Sequence, residues 1–406
     1  MKRIIVILAS LVALTACSSP IDMPGVDERN ENFTPIQLSA VQQEITTDVN
    51  SLAFDMLEYQ VVEPRSVKDV FLSPLSLSAT LSMLANGANG VTYEQIASVL
   101  GFKNKSVEDI NAYYNLIIDA LVNADRKVEF TSANSVWVDP EFELLDSYVN
   151  TVENNYAASV ENVDVGTQKG VDRINKWCST YTNGKITKFL DKPNDALLVL
   201  LTNALYFNGA WKDEFKTVEN RIFTHANGTP KYIPTILSSG QYTYYEDECI
   251  QLVEILYGNG AYAMDLILPI EDMTLKEAAG YLSEDGVWNN VMNNLSDGYV
   301  SLLFPKFRIE SDLVLNEMLC KFGMEDAFCS LADFSKMAED GLMVSFVRQK
   351  TYVDVTEKGT EAAAITGSGL AGASPNYSMR FVANRPFFFL IRERSTGVIL
   401  FVGLKA

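Results

Sequence analysis

The stretch Thr351–Met379 reads TYVDVTEKGTEAAAITGSGLAGASPNYSM, and its character changes twice. Tyr352, Val353 and Val355 are β-formers, so the first third is expected to be a strand. Lys358-Gly359 then makes a hinge, since glycine relaxes the φ/ψ limits. After it Thr360, Ala362, Ala364 and Thr366 recur at period two, between Glu361, Ala363, Ile365 and Gly367. On a strand the first four share one face, which is small and uncharged throughout. The one charge, Glu361, falls on the other face. From Gly367 onward the chain is small and irregular, as an exposed loop would be. By composition alone this is a Gly/Ala/Ser linker; by periodicity it is an exposed loop that can also be buried as a strand.

Around this stretch the chain alternates little and divides by type. Val41, Ile45, Val49, Leu52 and Met56 give helical spacing over Leu38–Tyr59. Ser73-Pro74 opens a second helix, Ser as N-cap and Pro at the first helical position. Thr92 with Gln95 predicts a capping box, and Gly101 a stop. Further helices are expected over Ser106–Asn123, Leu144–Asn155, Gln168–Tyr181, Leu275–Leu282, Glu284–Met292 and Leu313–Phe322. Val128–Val138 alternates as a strand. Ala196–Tyr206 (ALLVLLTNALY) reads as a strand buried on both faces, with Asn203 its one strongly polar member. From Tyr242 strands dominate: near Leu252, and over Ala261–Leu268, Tyr299–Phe307, Met343–Thr356, Met379–Ile391 and Val398–Val402. Helices come mainly first and strands mainly last, with no βαβ repeat. That predicts an α+β fold in one domain.

The 406 residues carry a formal net charge of −20, which disfavours nucleic acid as a partner. The only histidine, His225, lies in a turn and reads as a solvated side chain. No G-x-S-x-G, H-E-x-x-H or phosphate-loop motif is present. Ser73 lacks a neighbouring base and reads as a cap. Glu246/Asp247 and Glu339/Asp340 read as solvated surface. These observations nominate no catalytic residue, metal site or cofactor. Cys178, Cys249 and Cys320 read as buried thiols, and a Cys320–Cys329 bridge stays open.

The N-terminus reads as a sorting signal. Lys2 and Arg3 precede a short apolar core, Ile4–Val12, and Leu14-Thr15-Ala16-Cys17 resembles the bacterial lipobox. Residues 1–16 are then the signal peptide, and Cys17 is the acylated N-terminus. Several acyl chains, at about 0.8 kcal/mol per CH₂, would hold it in the outer membrane, facing the periplasm or the cell surface. Residues 17–36 are expected to be a flexible tether, and 37–406 the folded domain.

The segment Asp354–Ala364 (DVTEKGTEAAA) closely resembles the reactive-loop hinge of the serpins. Other pieces agree in order: Phe71–Ser76 (FLSPLS), Gly87–Thr92 (GANGVT), Ala133-Asn134, Ile174–Trp177, Thr202–Trp211 (TNALYFNGAW), Leu268-Pro269, Pro305–Phe307, Ala332–Ser335, Arg385–Phe387 and Gly397–Gly403. The resemblance runs from about Leu38 to Ala406. It implies helices packed on a large mixed or antiparallel sheet, further smaller sheets and an exposed reactive loop. Two positions depart from the family pattern: Asp69 stands where Asn is usual, and Gln349 where His is frequent. The resemblance puts both in a polar cluster under the opening of the main sheet, with Ser73, Ser76 and Asn203.

For such a protein the implied function is suicide inhibition of serine, and by extension cysteine, endopeptidases. Cleavage frees the loop from Thr360 onward to enter the main sheet as a new strand. About 14 residues at ~3.3 Å each would drag the acylated protease roughly 45 Å. Hinge residues Glu357, Gly359, Thr360, Ala362, Ala364 and Thr366 fit this. Family members that no longer inhibit tend to lose the small-residue pattern. Counting from Glu357 as the family does puts the reactive bond at Ala373–Ser374, with Leu370–Ala371 and Gly372–Ala373 as alternatives. A small residue before the bond suits elastase-like proteases. The implied partners are that protease and, through Cys17, a membrane; the implied state is a monomer without cofactor. The competing reading is a non-inhibitory binding protein or chaperone of the same fold.

Overall fold

The computed structural model describes residues 30–62, 67–194, 197, 199–339, 341–360 and 379–406. Ala362, Ala364, Thr366, the bond Ala373–Ser374 and Cys17 lie outside these. The described chain is α+β, with two sheets and helices packed against them.

The six-stranded sheet has the order Phe307–Val314, Arg348–Thr356, Gly359–Thr360, Val199–Ala210, Val128–Val138, Ala158–Asn162. The nine-stranded sheet runs Val70–Leu72, Ile399–Lys405, Phe387–Glu393, Tyr262–Pro269, Ile250–Leu256, Pro230–Glu246, Ser296–Pro305, Met379–Val382, with Thr217–Thr224 paired to Pro230–Glu246. Its central strands Tyr262–Pro269, Phe387–Glu393 and Ile399–Lys405 are buried at every position, as their near-continuous apolar runs demand. The helix Pro74–Gly87 ties the two sheets together, packing on Ile399–Lys405 and on Val199–Ala210. Ser73 caps it: its Oγ accepts from the Ser76 N–H at 3.2 Å, and Pro74 takes the first position.

Several local expectations are corrected. The third helix is Gly90–Val99, so Thr92 lies inside its first turn, and its hydroxyl accepts from the Asp333 N–H rather than capping. Tyr299–Phe307 and Met379–Ile391 each break into two strands, at Lys306 and at residues 383–386. Strand begins at Arg348 rather than Met343, and Leu313–Phe322 divides into a strand end and the helix Asn316–Lys321. Val199–Ala210 is not buried on both faces: Val199, Leu201 and Asn203 are half-buried, because they line a gap in the sheet. Cys178 is buried, but Cys249 and Cys320 are half-exposed, and none of the four is bridged. His225 is half-buried, its Nδ1 2.9 Å from the Ala406 carbonyl. The tether ends earlier than expected, since residues 30–36 are already fastened to the body.

Candidate functional site

Arg348–Thr356 and Val199–Ala210 run parallel, yet the only ladder between them among the described residues is the two-residue strand Gly359–Thr360. That strand is antiparallel to both. Thr360 pairs with Val355 on one side and with Gly209 on the other. Below it no ladder joins the two long strands among the described residues, and this unpaired seam is the slot that would have to widen to take a strand. At the slot's far end lies a cavity of about 30 Å³, lined by Leu201, Asn203, Leu77, Phe346, Val347 and Gln349.

The wedge depends on glycine. Gly359 has φ +143°, and a Cβ there would lie 2.2 Å from the Gly209 carbonyl oxygen. Thr360 is 1 % exposed, and its Oγ1 lies 2.6 Å from Tyr257 Oη. Burial pushes the Tyr257 hydroxyl well above its ordinary pKa, so it stays protonated. Tyr257 is stacked on Trp211, with centroids 4.4 Å apart. Trp211 grips the hinge in turn: its Nε1–H donates to the Thr356 carbonyl (2.8 Å) and its backbone N–H to the Lys358 carbonyl (3.0 Å). Glu357 is held by Lys306 at 2.5 Å, and that hydrogen bond keeps its carboxyl below the usual range. The hinge is thus clasped on three sides before the loop begins.

The polar cluster lies at the slot's inner end. The Ser73 N–H donates to Gln349 Oε1, and Gln349 Nε2–H donates back to the Ser73 carbonyl, both at 2.8 Å. Ser73 Oγ donates to the Leu400 carbonyl at 2.7 Å. Ser76 Oγ donates to Asn203 Oδ1, and Asn203 Nδ2 donates to Asn134 Oδ1. Asn134 Nδ2 closes the chain on the Tyr156 carbonyl at 2.7 Å. The two flanks of the slot are therefore tied to one helix start, Ser73–Ser76, through Gln349 and Asn203.

Asp69 does not join this cluster. Its carboxylate accepts from Lys405 Nζ at 2.7 Å and from the Ala406 N–H at 2.7 Å, at the chain's end. An ion pair with a basic residue outcompetes an amide partner here. Asn134 and Trp211 lie in the quoted pieces Ala133-Asn134 and Thr202–Trp211 but were given no role there, and Tyr257 was not singled out at all. The structure pairs Asn134 with Asn203 across neighbouring strands, which gives the first its place in the cluster. Among the described residues no group of three His, Cys, Asp or Glu could hold a metal.

Residues 47–405 match the family model described as Serpin (serine protease inhibitor). The chain is 34% identical over 348 residues to Intracellular coagulation inhibitor 2 of Tachypleus tridentatus, covering 83% of this chain and 85% of that one. It is 32% identical over 355 residues to Iripin-2 of Ixodes ricinus, covering 83% and 87%. Among solved structures, the native state of Tengpin, a thermophilic serpin, superposes with a TM-score of 0.82 at 28% identity, over 93% of this chain and 97% of that one. Human thyroxine-binding globulin, solved as a complex, gives 0.81 at 27%, over 90% and 98%. The match spans the slot, the wedge and the polar cluster alike, and the chain belongs to the serpin family.

Proposed function

We propose that the protein is a suicide inhibitor of serine endopeptidases that traps its target by drawing the cut loop into the slot. The observation that carries this reading is the Gly359–Thr360 wedge, hydrogen-bonded to both flanking strands. Continued in the same register, Ala362 would lie between Phe207 and Val353, Ala364 between Leu205 and Thr351, and Thr366 between Asn203 and Gln349. Val353, Thr351 and Gln349 are the inward, buried positions of their strand, at 1 %, 5 % and 7 % exposure. Small uncharged residues are what such a face accepts. Thr366 would arrive beside the two amides of the polar cluster, where its hydroxyl has partners.

The reactive bond is Ala373–Ser374 and the target class elastase-like, on the small side chain of Ala373. Acylation of Cys17 would hold the inhibitor at the outer membrane as a monomer. The test is to mix the full chain with a panel of elastase-, trypsin- and papain-like proteases. The expected outcome is an SDS-stable complex with the elastase-like enzyme and a new N-terminus at Ser374. Clean cleavage by every protease, with no complex, would favour the non-inhibitory reading.

A further inference from the structure

Asp125 stands in the connection between the helix Val107–Asn123 and the strand Val128–Val138, and it is 1 % exposed. A carboxylate at that depth needs donors. Two of them are backbone N–H groups from separate parts of the chain. The Lys127 N–H donates to Oδ1 at 2.8 Å, and the Asn259 N–H donates to Oδ2 at 2.6 Å. Asn259 lies in the turn Tyr257–Gly260, between the strands Ile250–Leu256 and Tyr262–Pro269. Its side chain fastens the same junction, with Nδ2 donating to the Ala124 carbonyl at 3.0 Å.

The turn has a shape that glycine permits but does not enforce. Gly258 has φ +43° and Gly260 φ +92°. Gly258 lies against the carboxylate, since a Cβ there would fall 2.1 Å from Asp125 Oδ2. Its N–H donates to the Ala210 carbonyl at 2.9 Å. Tyr257 opens this turn and is bridged to Trp211. Its ring stacks on Trp211, and its hydroxyl lies 2.6 Å from Thr360 Oγ1. A short path therefore leads from Asp125 through the turn backbone and the Tyr257 ring to the wedge.

We propose that Asp125 is a positioning residue for the hinge. Through the turn it holds Tyr257 against Thr360, and so keeps Gly359–Thr360 in register with both neighbours before any cut. The inference rests on the insertion reading above and names a residue that serves that site without touching the loop. Its contacts lie beside Gly359–Thr360, where the flanks are already apart, so insertion would break none of them. Their effect is to fix the starting point. A wedge that frays has to re-form before the strand can grow, at the entropy of closing the loop again.

The test uses the full chain with Asp125→Ala and Asp125→Asn. Asparagine has one oxygen and an NH₂ group, so it accepts from only one of the two N–H groups and should give a partial effect. Amide hydrogen exchange is read first, without a protease. Hinge amides over residues 355–360 are expected to exchange roughly tenfold faster in Asp125→Ala and roughly threefold faster in Asp125→Asn, with the strand Phe387–Glu393 unchanged. Each protein is then titrated with elastase. The stoichiometry of inhibition is expected to rise roughly threefold or more in Asp125→Ala, while the rate of loop cleavage stays within about twofold of the parent. Hinge exchange equal to the parent's, with only the urea midpoint lowered, would reduce Asp125 to a structural role and overturn the proposal. A loosened hinge with an unchanged stoichiometry overturns it as well. If Asp125→Ala does not fold, Asp125→Asn decides alone. A parent protein that is cut without forming an SDS-stable complex overturns the insertion reading instead, and the exchange data then decide the positioning by themselves.

Discussion

The Thr360 side chain sits between Gly209 and Val355 with its hydroxyl on Tyr257, in a space with no room and no counter-charge for a longer residue. If the chain inhibits as proposed, Thr360→Arg should therefore convert it from an inhibitor into a substrate. The guanidinium would have to be buried unpaired, insertion would slow, and the protease would complete deacylation first. The expected readout is a stoichiometry of inhibition raised roughly tenfold or more, with cleaved product in place of complex; an unchanged yield of complex would sink the role assigned to Thr360. At this scale the sequence was legible where local pattern decides. Period-two alternation marked Thr360, and a glycine at a change of pattern marked Gly359. It was not legible where a distant partner decides. Asp69 finds Lys405 and Ala406 at the far end of the chain, and nothing near Asp69 announces them.

Among elements, the long buried strands could be read because burial leaves a continuous apolar run. The hairpin Thr217–Thr224 with the first part of Pro230–Glu246 could not. It is exposed on both faces over most of its length, so no burial period is written into it. The central strands of the nine-stranded sheet carry one charged knot. Arg392 lies between Asp265, at 2.6 Å, and Glu254, with Arg394 3.1 Å from Glu254 on the outer side. Burial pushes the Asp265 carboxyl up to about 6 even with Arg392 beside it. Arg392→Leu would strand two buried acids and should cost about 3–5 kcal/mol of stability, read from the urea midpoint. A loss under about 1 kcal/mol would mean that the knot relaxes by taking in water. This pairing joins the hairpin Ile250–Leu256/Tyr262–Pro269 to Phe387–Glu393, with Arg392 127 residues beyond Asp265, so only the fold reveals it.

At the scale of the molecule, the proposed reading implies that an uncut loop leaves the six-stranded sheet one strand short, so that the native form would be held by a barrier rather than by the lowest free energy. Cutting the loop should raise the melting temperature by tens of degrees. Roughly a dozen inserted residues, at about 1 kcal/mol net per hydrogen bond before entropy, suffice for that. A cut form that melts with the uncut one would leave the fold standing and remove the trap. Cys17→Ala should release soluble protein from the membrane fraction; a variant that stays bound would show that something other than acylation holds it. The fold class and family were readable at this scale because eleven short motifs keep their order from Phe71 to Gly403. The docking of residues 30–36 was not, because polar residues followed by proline look the same whether free or docked.

The wedge has one more consequence, for kinetics. Starting a strand from an open loop means closing that loop and fixing several residues before any ladder bond repays them, which is slow nucleation. Gly359 and Thr360 have already met that cost, since both neighbours are in register with them before any protease arrives. On the proposed reading, what would remain after the cut is elongation, one pair of residues at a time from a seed already in place. On that reading the race against deacylation would be run by a zipper whose first teeth are engaged, its speed set by how fast the flanks part rather than by how often the loop finds its slot.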